Sequence, residues 1–153
     1  YGSGGIFSWS DEAQNSSEKP SVLFGRKGTV DKPILATGPF SCVDTMYWTS
    51  FTPGVDARFI YYLATAFPYK EISTATALPS MTSSALKSVS ICLPDHKGQL
   101  RVADHLDKET TQIDTLVEKT RKAIELLKER RQALITQVVT GKIDVRGFAG
   151  GNS

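Results

Sequence analysis

The sequence predicts an α+β fold: a small β-rich domain followed by one long α-helix that pairs as an antiparallel coiled coil. Three observations point there. All seven prolines of the 153-residue chain lie at or before Pro94. Between Lys97 and Thr140 there is no proline and a single glycine, Gly98. That same stretch carries apolar residues in a heptad, the spacing that helix-to-helix pairing requires. The composition shift places a boundary between residues 1–94 and residues 95–153.

The elements follow in order. Residues 1–20, YGSGGIFSWSDEAQNSSEKP, are rich in Gly, Ser and polar side chains and read as a loose arm that Ile6, Phe7 and Trp9 can dock. SVLFG is a short strand, and RKGT is a turn in which Gly28 supplies a positive φ. PILATGPFSCVDTMYWTSF holds one or two strands, marked by β-branched and aromatic residues. Its aromatics, from Phe40 to Phe51, are expected in the core. Pro53-Gly54 breaks the chain, and Asp56 caps a helix over ARFIYYLATAF, in which Phe59, Tyr62, Leu63 and Phe67 share a face. Pro68 ends it. ISTATALPSMTSSALK is a Ser/Thr-rich connection with a helical turn after Thr82. SVSICLP is a last strand that points Val89, Ile91 and Leu93 inward.

From Lys97 to Thr140 the helix is about 40 residues long, roughly 60 Å at ~1.5 Å per residue, with Gly141 as its stop. Leu106, Ile113, Thr120, Leu127 and Leu134 repeat every seven residues; Ala103, Thr110, Val117, Ile124, Arg131 and Val138 form the companion seam, and Leu116 and Ala123 widen the stripe. Charge along the helix is polarised. From Asp104 to Glu118 five acids stand against Lys108, whereas from Lys119 to Arg131 six bases stand against Glu125 and Glu129. Part of this complements the helix dipole. Two such helices in parallel would set like charges together, so the pattern asks for an antiparallel partner of the same kind. Polar Thr110, Thr120 and Arg131 in the seam fix register.

Composition is ordinary: 40% hydrophobic, 22% charged, net charge +2. It excludes disorder across the whole chain and selects no partner. No apolar run approaches the roughly 20 residues that cross a bilayer, and YGSGGIFSWS has neither the basic nor the apolar region of a signal peptide. Cytoplasmic location is therefore expected, with Cys42 and Cys92 as reduced core residues and no metal site. His96 and His105 lack the spacing of helical zinc ligands, and there is no phosphate-binding glycine loop. No catalytic constellation stands out.

Four stretches together carry a resemblance: YGSGGIF, LFGRKGTVDKPILATGPFSCVDTMYW, ALPSMTSSALKSVSICLP, and QLRVADHLDKETTQIDTLVEKTRKAIELLKERRQALITQVVTGKIDV. The chain resembles one half of the specificity subunit of type I restriction–modification systems, namely one target recognition domain (residues 1–94) and the long spacer helix and tail after it (residues 95–153). LLKERRQALITQVVTGKIDV is the most specific part. The resemblance implies a non-catalytic subunit without a cofactor of its own. It implies a reader of bipartite double-stranded DNA, with an antiparallel helix pair between two recognition domains. Methyltransferase subunits and ATP-dependent restriction subunits are the implied protein partners. The family has two recognition domains where this chain has one, so a half-subunit or a fragment is expected, and a homodimer through the long helix restores the pair. The alternative is a truncated coiled-coil assembly adaptor that binds partner subunits without reading DNA.

Within that frame Arg26, Lys27, Gly28 and Thr29 are the sharpest candidates for DNA contact. A tight basic turn with free backbone N–H groups suits phosphate, and an arginine there can read guanine with two hydrogen bonds. Lys32, Lys70 and Lys87 extend the basic set. Thr74, Thr76, Ser80 and Thr82 either donate to DNA or satisfy their own loop. Residues 20–94 carry six bases and four acids, too small an excess to reveal a DNA binder by charge alone. The expected partner interface is Leu106, Ile113, Leu116, Val117, Ile124, Leu127, Arg131, Leu134 and Val138.

Overall fold

A computed structural model describes residues 1–148 of the protein. In chain order the elements are β1 (Ser21–Gly25), β2 (Ile34–Ala36), β3 (Met46–Trp48), α1 (Ala57–Thr65), α2 (Tyr69–Ile72), α3 (Ser83–Lys87) and α4 (His96–Val139), followed by a 3-10 turn at Arg146–Phe148. The class is the expected α+β, a three-stranded antiparallel sheet and then one long helix. Two compact units result, Tyr1–Leu106 and a second that starts at Asp107.

In the first unit β1 is the central strand, paired with β2 on one edge and β3 on the other. All five of its residues are buried, which is why SVLFG reads as a continuous apolar run rather than an alternation. Side-chain alternation divides the core between the two faces. Val22 and Phe24 join Val30, Phe59, Ile60, Ala64, Tyr69, Met81 and Ala103 in one cluster. Leu23 joins Ala36, Phe40 and Met46 in the other.

The helices of this unit begin where capping chemistry starts them. Asp56 accepts the N–H of Phe59 at 2.9 Å, and Thr82 accepts that of Ala85 at 3.1 Å, each cap contributing about 1 kcal/mol. Asp95 accepts the N–H of Gly98 at 3.0 Å at the start of α4. The first turns of α4 belong to this unit: Gln99 and Ala103 are fully buried. Arg58 on α1 adds an ion pair to Asp104 at 2.9 Å.

Several expectations need correction. SVSICLP forms no strand: Ile91 and Leu93 are exposed and Cys92 lies at the surface, so it is not a core residue. The N–H of Val89 is taken by Leu86 O as α3 ends, and the segment pairs with neither edge strand of the sheet, β2 or β3. Strand propensity without a neighbour makes no strand. The arm is held differently from the expectation. Asn15 pairs with Phe40, and Tyr1 nitrogen donates to Ser41 O at 2.7 Å, while Ile6, Phe7 and Trp9 stay exposed, Trp9 by 89%. On α1 the buried set is Ala57, Phe59, Ile60 and Ala64; Tyr62 lies at its margin and Phe67 beyond the helix, stacked on Phe24. α1 stops at Thr65 with Ala66 as its C-cap, short of the expected end at Pro68, which instead stands at the N-cap of α2. Of the aromatics between Phe40 and Phe51, Phe40 is core, Tyr47 and Phe51 pack partly buried against the core, and Trp48 is 45% exposed. Ala103, placed in the helix seam by its spacing, is instead in the domain core.

In the second unit α4 continues to Val139; the whole helix has 44 residues and is about 66 Å long at roughly 1.5 Å per residue. Gly141 stops it as expected, with φ +71 and with the Lys142 N–H bonded back to Gln137 O at 2.8 Å.

Candidate nucleic-acid interface

The basic turn is built from both sides. β1 ends at Gly25, where any side chain would collide with the returning chain: a Cβ there would lie 2.0 Å from Thr29 O. Gly25 therefore fixes how tightly the turn closes. Arg26 and Lys27 N–H groups both point at Thr45 O, at 2.7 and 3.4 Å. Gly28 has φ +84, as its position in the turn requires, and donates to Pro79 O at 2.9 Å. Arg26 O in turn accepts from Met81 N at 2.9 Å, and Lys27 bridges to Ser80.

The structure thereby brings the loop Thr74–Ser80 beside the turn, a juxtaposition the sequence did not give. Arg26 and Lys27 side chains are exposed, Gly28 and Thr29 half-buried. The guanidinium of Arg26 donates to Asp44 O at 3.1 Å, which restrains its planar fork. Lys32 stands in the loop between β1 and β2, Lys70 on α2 and Lys87 in the last turn of α3, each exposed.

The hydroxyls of the neighbouring loop serve the loop itself. Thr74 Oγ1 accepts from Ser80 N at 3.0 Å, Thr76 Oγ1 donates to Leu78 O at 2.8 Å, and Thr82 caps α3. Thr74, Thr76 and Thr82 hold the backbone that flanks the basic turn, in the manner of Ser/Thr turns generally. Leu78, at the tip of this loop and 62% exposed, carried no sequence signal.

An open groove of about 910 Å³ lies between the arm and residues 37–44, with Phe7, Trp9 and Phe40 in its wall. Its charged lining is Asp11, Glu12 and Asp44, with no lysine or arginine, so it is unsuited to phosphate. Burial pushes the Cys42 thiol up from its ordinary value, which disfavours a reactive thiolate. No group of three metal-ligating side chains exists among the described residues.

On α4, Ile113, Leu116, Val117, Ile124, Leu127 and Leu134 are exposed, Leu127 by 61%, and Arg131 is exposed among them. Leu106 and Val138 are half-buried. Ile135 joins the same stripe unforeseen; it follows Val117 by 18 residues, about five turns of ~3.6 residues, and so faces the same way. Glu118–Lys122 (3.6 Å) and Glu125–Lys128 (2.8 Å) pair along the helix at exposed positions, each worth a few tenths of a kcal/mol. No described helix is long and apolar enough to cross a membrane.

Comparison with known families gives one finding. The model for the type I restriction modification DNA specificity domain matches residues 10–126. No curated protein matches the chain.

Proposed function

Because the chain belongs to the type I restriction modification DNA specificity domain family, a family of DNA-recognition domains, we propose that it supplies one half of a bipartite DNA reader. Residues 1–94 read one half-site, with Arg26–Thr29 at the contact and Lys32, Lys70, Thr74 and Lys87 around it. The observation that carries this is the turn itself. Two exposed cations sit on a loop closed by four main-chain hydrogen bonds to Thr45, Pro79 and Met81, with Arg26 already oriented. A preordered guanidinium loses less entropy on reading a base than a free one does.

Residues 95–153 act as the spacer. The exposed stripe from Ile113 to Ile135 is costly in water, and the charge polarity of the helix favours a second copy running antiparallel. A two-fold homodimer then carries two recognition domains to separated half-sites. Methyltransferase subunits and ATP-dependent restriction subunits dock on this scaffold, which itself performs no chemistry, in the cytoplasm. DNA binding measured at several salt concentrations, with and without the methyltransferase subunits, tests the reading. Target preference in the assembled complex supports it; assembly without any preference supports a scaffold that reads no DNA.

A further inference from the structure

Leu78 is 62% exposed, so burial contributes little to holding it in place. It is an exposed leucine, yet its loop is held by several hydrogen bonds. Ser73 and Met81 bridge across the loop base, Thr74 N donates to Ser80 O at 2.8 Å, and Thr74 Oγ1 and Ser80 Oγ lie 3.1 Å apart. Thr76 Oγ1 holds Leu78 O itself at 2.8 Å. The next residue, Pro79, accepts the N–H of Gly28. A Cβ on Gly28 would meet Leu78 Cδ1 at 3.9 Å, so the side chain lies against the basic turn. A rigid loop therefore holds one aliphatic group in water next to Arg26 and Lys27.

Taking the DNA-reading function above as its premise, we propose that Leu78 is a specificity-determining residue that contacts the C5 methyl of a thymine beside the base that Arg26 reads. An aliphatic side chain cannot hydrogen-bond a phosphate or a base edge. The apolar group that duplex DNA displays in its major groove, where an arginine reads guanine, is the thymine methyl. Arg26 supplies the polar half of such a contact and Leu78 the apolar half. The acidic lining of the groove beneath the arm gives no comparable fit to DNA.

The test uses the complete methyltransferase assembly and its target duplex, the target being read beforehand from the methylated bases of the host DNA. Each thymine of the half-site is replaced in turn by uracil, which lacks only the methyl. Binding is measured for the wild-type protein and for Leu78→Ala. At one position uracil weakens wild-type binding about fourfold, the equivalent of ~0.8 kcal/mol for one buried carbon, and leaves Leu78→Ala unaffected. A half-site in which no uracil changes wild-type binding overturns the proposal, as does a uracil effect that persists in Leu78→Ala. An enhanced fluorescence of 2-aminopurine next to Leu78 without uracil sensitivity would mean a wedge between base steps, which also overturns it. Failure of the premise looks different: the wild-type assembly then shows no target preference at all, and Arg26→Ala changes nothing.

Discussion

The side-chain oxygen of Gln99 accepts the main-chain N–H of Asp56 at 2.9 Å, while its amide nitrogen donates to Pro94 O at 2.8 Å and to Gly54 O at 3.2 Å. One fully buried side chain thus satisfies the turn after β3, the cap of α1 and the entry to α4. Gln99→Ala leaves these groups without partners in the interior. A buried donor left unpaired costs about 1–3 kcal/mol, so chemical denaturation should register at least that loss. A variant within about 0.5 kcal/mol of wild type, the range of an ordinary surface change, would contradict this role.

Gly25 and Gly28 bracket the basic turn for different reasons, and alanine separates them. At Gly28 alanine meets a positive φ and the rotatable Ser3 hydroxyl at 3.1 Å, a strain of about 1–2 kcal/mol that leaves the fold intact. At Gly25 it meets Thr29 main chain at 2.0 Å, which only a shift of the strand or turn relieves. Thermal melting should therefore order the variants wild type, Gly28→Ala, Gly25→Ala. A Gly25→Ala protein as stable as Gly28→Ala would refute the close approach.

How much of this was legible depends on whether the signal was local. The cap at Asp56, the turn at Gly28, the strand Ser21–Gly25 and the helix stop at Gly141 all rest on residues a few positions apart, and each was read correctly. The failures required long-range knowledge. Val89–Leu93 has the composition of a strand but no partner. Ala103 has the spacing of a seam residue but is claimed by the core cluster around Val22 and Phe24. In the candidate site the Arg26–Gly28 turn was visible from its residue types. Its neighbour Leu78 was not, because some 50 residues of chain separate them and long-range main-chain pairing, Gly28 with Pro79, Lys27 with Ser80 and Arg26 with Met81, brings them together.

Tyr69 sets an alkaline limit. Its hydroxyl is buried and donates to Ala64 O at 2.9 Å. Burial first, and the charge of Asp31 second, push its pKa from the ordinary value near 10 up to about 12. The protonated form is the one the fold favours, so this stabilisation is complete below pH 10 and is lost as pH rises from 10 to about 12. Denaturant midpoints should fall across that window in the wild type and fall less in Tyr69→Phe. Parallel curves would remove Tyr69 as the cause.

Pairing of the long helix is tested by its own symmetry. If acidic and basic halves match, the two-fold axis passes near the charge switch at Glu118–Thr120. Thr120→Cys should then crosslink to its own copy under oxidation, whereas Leu106→Cys and Leu134→Cys should not. Self-crosslinking at both ends would mean a parallel pair. A monomer at high concentration would leave the stripe to another partner.

DNA reading by the basic turn is the central claim, and binding of target DNA to the complete methyltransferase assembly tests it most directly. Arg26→Ala should cost about 1–3 kcal/mol and relax preference at one base pair. Lys27→Ala should weaken all sequences alike and reduce the salt slope by about one unit. An Arg26→Ala, Lys27→Ala double variant whose affinity, salt slope and sequence preference all equal those of the wild type would contradict the account.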